Sequence, residues 1–211
     1  MKINLLLLPL VIFSLFSISA IAHVPFLEFR DYSEERPYVV RRFPEQSKAI
    51  YAWLENDGET VPDDIDVYKF KIKRRPIQVY IELIVPVYED YYDEFVPWFA
   101  LVGPGLPAPN ISLPFDIPCD YGAIVKENVE PGEERETFYE PFGGKSYYKG
   151  PIYEEEISAS GTYYVYVWDP HQMGGDYVLV LGKGELFLFA DILRGLIYTP
   201  MIRNDMELHI D

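Results

Sequence analysis

The stretch from Ser160 to Gly182, SGTYYVYVWDPHQMGGDYVLVLG, constrains the fold of this chain most strongly. Residues 162–168 are β-branched or aromatic, residues 169–175 collect Asp, Pro and Gly, and residues 177–181 are again apolar. This order predicts a β-hairpin with a long loop. Because alternate side chains are apolar on both faces of each arm, neither face is suited to water. We therefore expect the hairpin to lie in the middle of a sheet.

Two further segments alternate with a period of two. Residues 68–73 place Tyr, Phe and Ile between three lysines, which predicts a half-exposed strand, and residues 77–85 predict a longer one. A short first strand is predicted over residues 49–54, and part of residues 23–43 is expected along a sheet edge. Together these segments predict an all-β fold, an antiparallel jelly-roll-like β-sandwich.

The domain boundaries follow from composition. Residues 23–184 are assigned to the sandwich. Residues 106–150, rich in Pro and Gly, are expected to form a long ordered loop excursion with only short extended segments, at residues 123–126 and 136–139. Residues 185–211 are assigned to one C-terminal helix and its tail, with the helical pattern over residues 185–198. That helix is too short to span a bilayer. We expect it to pack on the sandwich, with peripheral contact to a membrane as the alternative.

Residues 1–22 have the features of a cleavable signal peptide. Lys2 precedes an apolar run over residues 3–18, and Ala20-Ile21-Ala22 matches a signal-peptidase site. The chain is therefore expected to be secreted or extracytoplasmic, with no transmembrane anchor after cleavage. Cys119 is the single cysteine, so no intramolecular disulfide can form, and we expect a buried, inert thiol.

The charge balance limits the partners. The chain has 18 Lys and Arg against 34 Asp and Glu, a formal net charge of −16. Nucleic acid is excluded as a partner, because its binding depends on cations that neutralise phosphates. An anionic lipid surface would also repel most of such a chain. Calcium, a basic protein partner and solubility remain as explanations for the acidity.

Histidine suggests a copper site. His23 becomes the amino terminus if the leader is cut after Ala22, and a terminal His offers its amino and ring nitrogens to one metal ion. His171, beside Asp169 in the loop of the predicted hairpin, is the expected second ligand, with His209 as the other candidate. The alternative is that these histidines have no metal role.

The acidic turn ENDGETVPDDID over residues 55–66 suggests a calcium site. Carboxylates gathered on a turn between strands suit Ca²⁺, although the spacing is not that of an EF-hand. A solvated acidic loop is the simpler alternative. The candidate ligands are Asp57, Glu59, Asp63, Asp64 and Asp66.

Aromatic residues outside the predicted strands suggest a binding surface. Exposed aromatic rings near carboxylates and amides are typical of surfaces that bind a protein or a glycan. Most of the aromatic residues are needed to fill the sandwich. The residues expected to be available to a ligand are Tyr91, Tyr92, Tyr147 and Tyr148.

Several segments resemble known exported proteins. DIDVYKFKI, residues 64–72, and the stretch from Gly161 to Gly182 resemble the early strand and closing hairpin of the bacterial pre-peptidase C-terminal jelly roll. AHVP, FVPWFALVGPGLP, YGA, YEPFGGKSYY and GDYVLVLGKGE together resemble an uncharacterised family of exported archaeal and bacterial proteins. The resemblance implies an exported jelly-roll sandwich and carries no established activity.

Three functions are consistent with the sequence. The first is a non-enzymatic binding or interaction module of the cell surface or extracytoplasmic space, because the chain lacks the G-x-S-x-G, H-E-x-x-H and Walker motifs. The second is a copper-binding protein that uses His23 with His171. The third is a polysaccharide-active enzyme whose carboxylate pair the sequence does not identify.

Overall fold

The computed structural model describes residues 23–56, 64–73 and 76–210, so the predicted signal peptide, residues 1–22, lies outside it. The described residues form eleven strands and one helix. The strands are Val24–Leu27 (β1), Tyr38–Val39 (β2), Gln46–Leu54 (β3), Ile65–Ile72 (β4), Ile77–Pro86 (β5), Trp98–Pro104 (β6), Tyr121–Lys126 (β7), Thr137–Glu140 (β8), Lys145–Ile157 (β9), Gly161–Trp168 (β10) and Gly175–Glu185 (β11). The helix is Phe189–Arg203 (α1).

The strands form two sheets with the orders β1-β3-β11-β5-β9-β8 and β2-β4-β10-β6-β7. The predicted all-β sandwich with a C-terminal helix is therefore confirmed at this level, while the jelly-roll connectivity stays a prediction. The prediction that all strands are antiparallel is wrong at one edge of each sheet. There β1 runs parallel to β3, and β2 runs parallel to β4.

The predicted hairpin of residues 160–182 is wrong in its pairing. β10 lies between β4 and β6, whereas β11 lies between β3 and β5. The loop of residues 169–174 therefore carries the chain from one sheet to the other. Each arm has a neighbour on both sides, as its two apolar faces predict.

The core lies between these two central strands. Tyr163, Val165 and Val167 of β10 are fully buried in the same cluster as Tyr177, Leu179 and Leu181 of β11. On the outer face of the first sheet, Val178 and Val180 pack with Ile202 of α1. On the outer face of the second sheet, Phe115 stacks on Tyr166 with a centroid separation of 4.0 Å. Both faces of each arm are thus covered.

Some segment boundaries differ from the sequence prediction. Residues 106–150 are not one loop, because they contain β7, β8 and the beginning of β9. The strand predicted over residues 49–54 begins at Gln46 and is the third described strand. Residue 185 ends β11, and the helix begins later than predicted, at Phe189.

Cys119 is exposed, which corrects the expectation of a buried thiol. No described helix is long and apolar enough to cross a membrane.

Candidate functional site

Tyr92 and Tyr147, two of the four predicted ligand-binding tyrosines, are buried. The Tyr92 hydroxyl donates a hydrogen bond to the Asp176 carboxylate. Tyr147 packs beneath α1 in the cluster of Val178 and Ile202, and burial raises the pKa of its hydroxyl. Because both rings are buried, a ligand cannot contact them, and the prediction that Tyr92 and Tyr147 bind a ligand is wrong.

The other two predicted tyrosines, Tyr91 and Tyr148, lie closer to solvent. The Tyr148 hydroxyl donates to Asp93 Oδ1 at 2.6 Å, and the Arg135 guanidinium lies 3.9 Å from the ring centroid. One face of that ring is therefore covered. Tyr91 is 53% exposed. Their role in binding stays a prediction, and the predicted aromatic surface is reduced to these two rings.

Tyr91 borders a cleft of about 750 Å³ at the end of the sandwich where β3 ends. In this cleft the Trp53 ring stacks on His209 at a centroid separation of 3.7 Å. His209 Nδ1 and its backbone N–H both lie 2.8 Å from the Asp176 carboxylate, which holds the C-terminal segment in place. Because the Asp176 oxygens already accept hydrogen bonds from Tyr92 and His209, this carboxylate has a structural role.

His23 and His171 lie at opposite ends of the first sheet. The His23 ring is hydrogen-bonded to Ser47 near the start of β3, whereas the loop of His171 leads into Gly175, which pairs with Leu54 at the end of β3. Seven strand residues separate these ends by about 23 Å. The fold therefore does not bring the two predicted copper ligands together. Burial lowers the pKa of the His23 ring to about 4, so the ring is neutral at pH 7.

Asp169, the third predicted copper ligand, organises its own loop. Its carboxylate accepts hydrogen bonds from the backbone N–H groups of His171, Met173 and Gly174 at 2.9, 2.6 and 3.1 Å. This is the local pattern by which Asp stabilises turns. Across residues 23–56, 64–73 and 76–210, no group of three or more His, Cys, Asp or Glu side chains could hold a metal ion.

Three of the predicted calcium ligands, Asp57, Glu59 and Asp63, lie outside the described residues. Asp64 Oδ2 accepts the Glu55 backbone N–H at 3.0 Å. Asp66 is buried and accepts hydrogen bonds from the Tyr177 hydroxyl and the Tyr32 backbone N–H. The Asp66 carboxylate is therefore part of the core, and the calcium hypothesis for this turn stays a prediction.

A cationic groove lies on the opposite end of the second sheet from the cleft. β2 is only two residues long, so it covers only part of the edge of β4. After Val40 donates its backbone N–H to the Lys69 carbonyl at 2.8 Å, the chain turns away from β4. The space between the two segments is a groove of about 620 Å³. It is lined by residues 39–43, Glu45, residues 69–73 and Ile77.

Among the residues that the structure describes, five cations and one acid, Glu45, line the cationic groove. Arg41 and Arg42 come from the turn after β2, and the lysines come from alternate positions of β4. Because Tyr68, Phe70 and Ile72 point into the core, the strand period turns the intervening lysines outward. None of the five cations forms an ion pair with another described residue. The five cations are Arg41, Arg42, Lys69, Lys71 and Lys73.

The floor of the cationic groove is apolar. Phe43 is buried and packs on Phe70 at a centroid separation of 4.3 Å. Lysines on an open strand edge also prevent pairing with another chain, which accounts for Lys71 and Lys73 taken alone. That explanation does not extend to Arg41 and Arg42, which reach the same groove from another segment. The convergence of two segments is what distinguishes a binding groove from a protected edge.

Sequence reasoning missed this groove. The alternation of residues 69–73 identified the lysines only as the solvent-exposed face of a strand. Arg41 lies 28 residues before Lys69, so nothing in the sequence indicated that these cations meet. The available signal was the contrast between these clustered cations and the net charge of −16. No protein-family model matches the chain, and no curated protein is detectably similar to it in sequence. Function is therefore inferred from the geometry.

Proposed function

We propose that this protein is a non-enzymatic binding module, exported from the cytoplasm, that holds anionic groups in the cationic groove. The observation that carries the proposal is that five cations, from the turn after β2 and from β4, line one groove beside Phe43 and Phe70 and form no ion pair among the described residues; Lys69 lies over the Tyr164 ring. Five clustered cations repel one another, and this cluster contrasts with the chain's net charge of −16. A bound anionic ligand would neutralise the cluster.

The residue types suit sulfate, phosphate or carboxylate groups. Arg41 and Arg42 each present a planar fork of N–H donors that can bind two oxygens of one anion. The lysines of β4 act as point charges and are spaced about 7 Å apart along the strand. A ligand with repeated anionic groups therefore fits this row better than a single small anion.

The overall negative charge does not oppose this binding at short range. At physiological ionic strength, charges separated by more than about 8 Å are largely screened. An anion seated among Lys69, Lys71 and Arg42 therefore responds to these neighbours more than to distant acids. Glu45, on the rim, is the one acid in the lining and limits affinity.

Inorganic polyphosphate is a suitable probe, because it is a linear polyanion. We expect the purified protein to bind it, with an affinity that decreases as salt concentration increases. The double variant Lys71→Gln/Lys73→Gln should weaken binding at least tenfold. The measurement is fluorescence anisotropy of end-labelled polyphosphate at two salt concentrations.

The matched control removes the same amount of charge elsewhere. Lys149 pairs with Glu136 on the first sheet, and Lys126 lies on β7, at the opposite edge of the second sheet from β2 and β4. The variant Lys126→Gln/Lys149→Gln should bind polyphosphate as the unmodified protein does. Equal affinities for the two double variants would show that the groove is not the binding site.

A further inference from the structure

The solvent-facing side of α1 and of the residues before it is apolar. Half of the large hydrophobic side chains that are exposed in the described structure lie between residues 186 and 197. Phe189, Leu196 and Ile197 are 75%, 68% and 61% exposed. The members of this exposed apolar face are Leu186, Phe187, Phe189, Ile192, Leu193, Leu196 and Ile197.

The charged residues of the helix face the opposite way. Asp191 is buried and hydrogen-bonds to Gln46 of β3. The Arg194 guanidinium binds Asp191 Oδ1 at 2.7 Å and lies 4.3 Å from the Phe26 ring centroid. A surface helix usually shows the reverse arrangement, with its apolar stripe on the core. The orientation of α1 therefore leaves an apolar face of unusual extent in water.

This apolar face adjoins the cationic groove. The Leu186 backbone N–H donates to the carbonyl of Glu45, a residue of the groove rim, at 3.1 Å. Burial lowers the pKa of Lys48 most, and repulsion from Arg42 of the groove and Arg194 of the helix lowers it further, so both cations lie within electrostatic reach of one ammonium group. The turn that carries Arg41 and Arg42 therefore lies beside the start of the apolar face, whereas the lysines of β4 point outward from the second sheet.

Building on the proposed function, we propose that the anionic ligand of the cationic groove is a membrane surface, on which the exposed apolar face of α1 is seated. The aliphatic and aromatic side chains enter the boundary between headgroups and acyl chains, while Arg41 and Arg42, at the part of the groove nearest α1, contact lipid phosphates. An interfacial helix binds through just this combination of apolar area and attraction to anionic lipid.

Charge complementarity favours a lipid surface over another protein or a second copy. A second copy seated on this face would bring another Arg41 and Arg42 towards the first pair and would repel them. An anionic bilayer instead offers phosphates beside an apolar layer, and both are needed here at neighbouring positions. At physiological ionic strength, acids more than about 8 Å from the contact are largely screened.

The test uses vesicles of phosphatidylcholine alone and of phosphatidylcholine with an equal part of phosphatidylglycerol. We expect sedimentation with the anionic vesicles and much weaker binding to the neutral ones. Leu196→Gln/Ile197→Gln should reduce binding to anionic vesicles at least tenfold and leave polyphosphate binding unchanged. Arg41→Gln/Arg42→Gln should reduce it by about 30-fold, because each cation near the surface contributes a factor of about five.

Control variants separate this inference from a general effect of hydrophobicity. Ile152→Gln/Met173→Gln changes two exposed apolar residues away from α1 and should bind vesicles normally. Normal binding by the Leu196→Gln/Ile197→Gln variant would overturn the inference. So would a dimer in light scattering that this variant converts to a monomer, because a second copy would then cover the face.

The outcomes also separate this inference from the proposed function. If polyphosphate binds and neither kind of vesicle does, the membrane inference fails and the groove remains an anion site. If polyphosphate does not bind and vesicles do so without dependence on Arg41 and Arg42, the proposed function fails. Circular dichroism of each variant confirms that the sandwich is folded.

Discussion

The carboxylate of Asp191 accepts a hydrogen bond from Gln46 Nε2 at 2.6 Å, which ties the first turn of α1 to the first residue of β3. The same oxygen accepts the backbone N–H of Leu188 at 2.9 Å. Gln46 Oε1 in turn accepts a hydrogen bond from the buried Lys48 ammonium at 2.8 Å. This polar contact beneath the helix sets the orientation that leaves its apolar side outside.

Asp191→Ala should lower the free energy of unfolding by about 2 kcal/mol, because the buried Gln46 amide loses its acceptor and the helix loses a hydrogen bond at its start. Urea unfolding followed by circular dichroism measures the change. Glu136→Ala is the control, since Glu136 is 74% exposed and pairs with Lys149 at the surface. Surface pairs contribute at most about 1 kcal/mol. Equal losses in the two variants would contradict the assigned role of Asp191.

Glu28 should make stability depend on pH. Burial raises the pKa of its carboxyl from 4.5 to about 10, and the nearby Asp66 carboxyl adds to the rise. Between these values the folded chain keeps a proton that the unfolded chain releases. This contribution to the free energy of unfolding is complete below pH 4.5 and is lost as pH rises towards 10, by up to about 1.4 kcal/mol per pH unit.

The variant Glu28→Gln isolates this effect, because it keeps a neutral polar side chain at every pH. Its stability relative to the unmodified protein should be greater at pH 9 than at pH 5, as measured by urea unfolding at both values. Glu35→Gln, at an exposed position, should show no such difference. A Glu28→Gln advantage that is the same at both pH values would mean that this carboxyl is not held protonated.

Tyr177→Phe should destabilise the core by about 1–3 kcal/mol. The Tyr177 hydroxyl donates to Asp66 Oδ2 at 2.6 Å and lies 2.7 Å from the Tyr68 hydroxyl. Its removal leaves buried Asp66 without this donor. Thermal unfolding measures the loss, and Tyr139→Phe, on a ring that is 63% exposed, is the control. An unchanged melting temperature for Tyr177→Phe would argue against a structural role for this network.

Arg135→Lys should loosen residues 88–95. The Arg135 guanidinium donates to the carbonyls of Tyr92, Asp93 and Phe95 at 2.6–2.9 Å. A lysine cannot reproduce this planar fork of donors. Hydrogen exchange of the loop amides should increase at least tenfold, while amides of β10 are unaffected. Arg36→Lys, at an exposed position, should leave exchange in the loop unchanged; exchange that is equal in both variants would refute the role of Arg135.

The alternation of apolar and polar side chains along the chain allowed several strands to be predicted from the sequence. The lysine pattern of β4 and the doubly apolar arms of β10 and β11 depend only on which side chains share a face, and that is set by neighbours along the chain. Within residues 106–150 the sequence indicated only short extended segments, at residues 123–126 and 136–139, because β7 and β8 are short and lie at sheet edges in a segment rich in Pro and Gly. A weak period leaves the sequence ambiguous in such segments.

The sequence by itself determined that this chain forms a β-sandwich with central strands around residues 162–168 and 177–181 and a helix after them. Only the tertiary structure decided that these strands lie in different sheets, that Arg41 and Arg42 meet the lysines of β4, and that α1 turns its apolar side to solvent. Alternation specifies which residues share a face. It does not specify which strand lies beside which, because pairing depends on contacts between residues far apart in the chain.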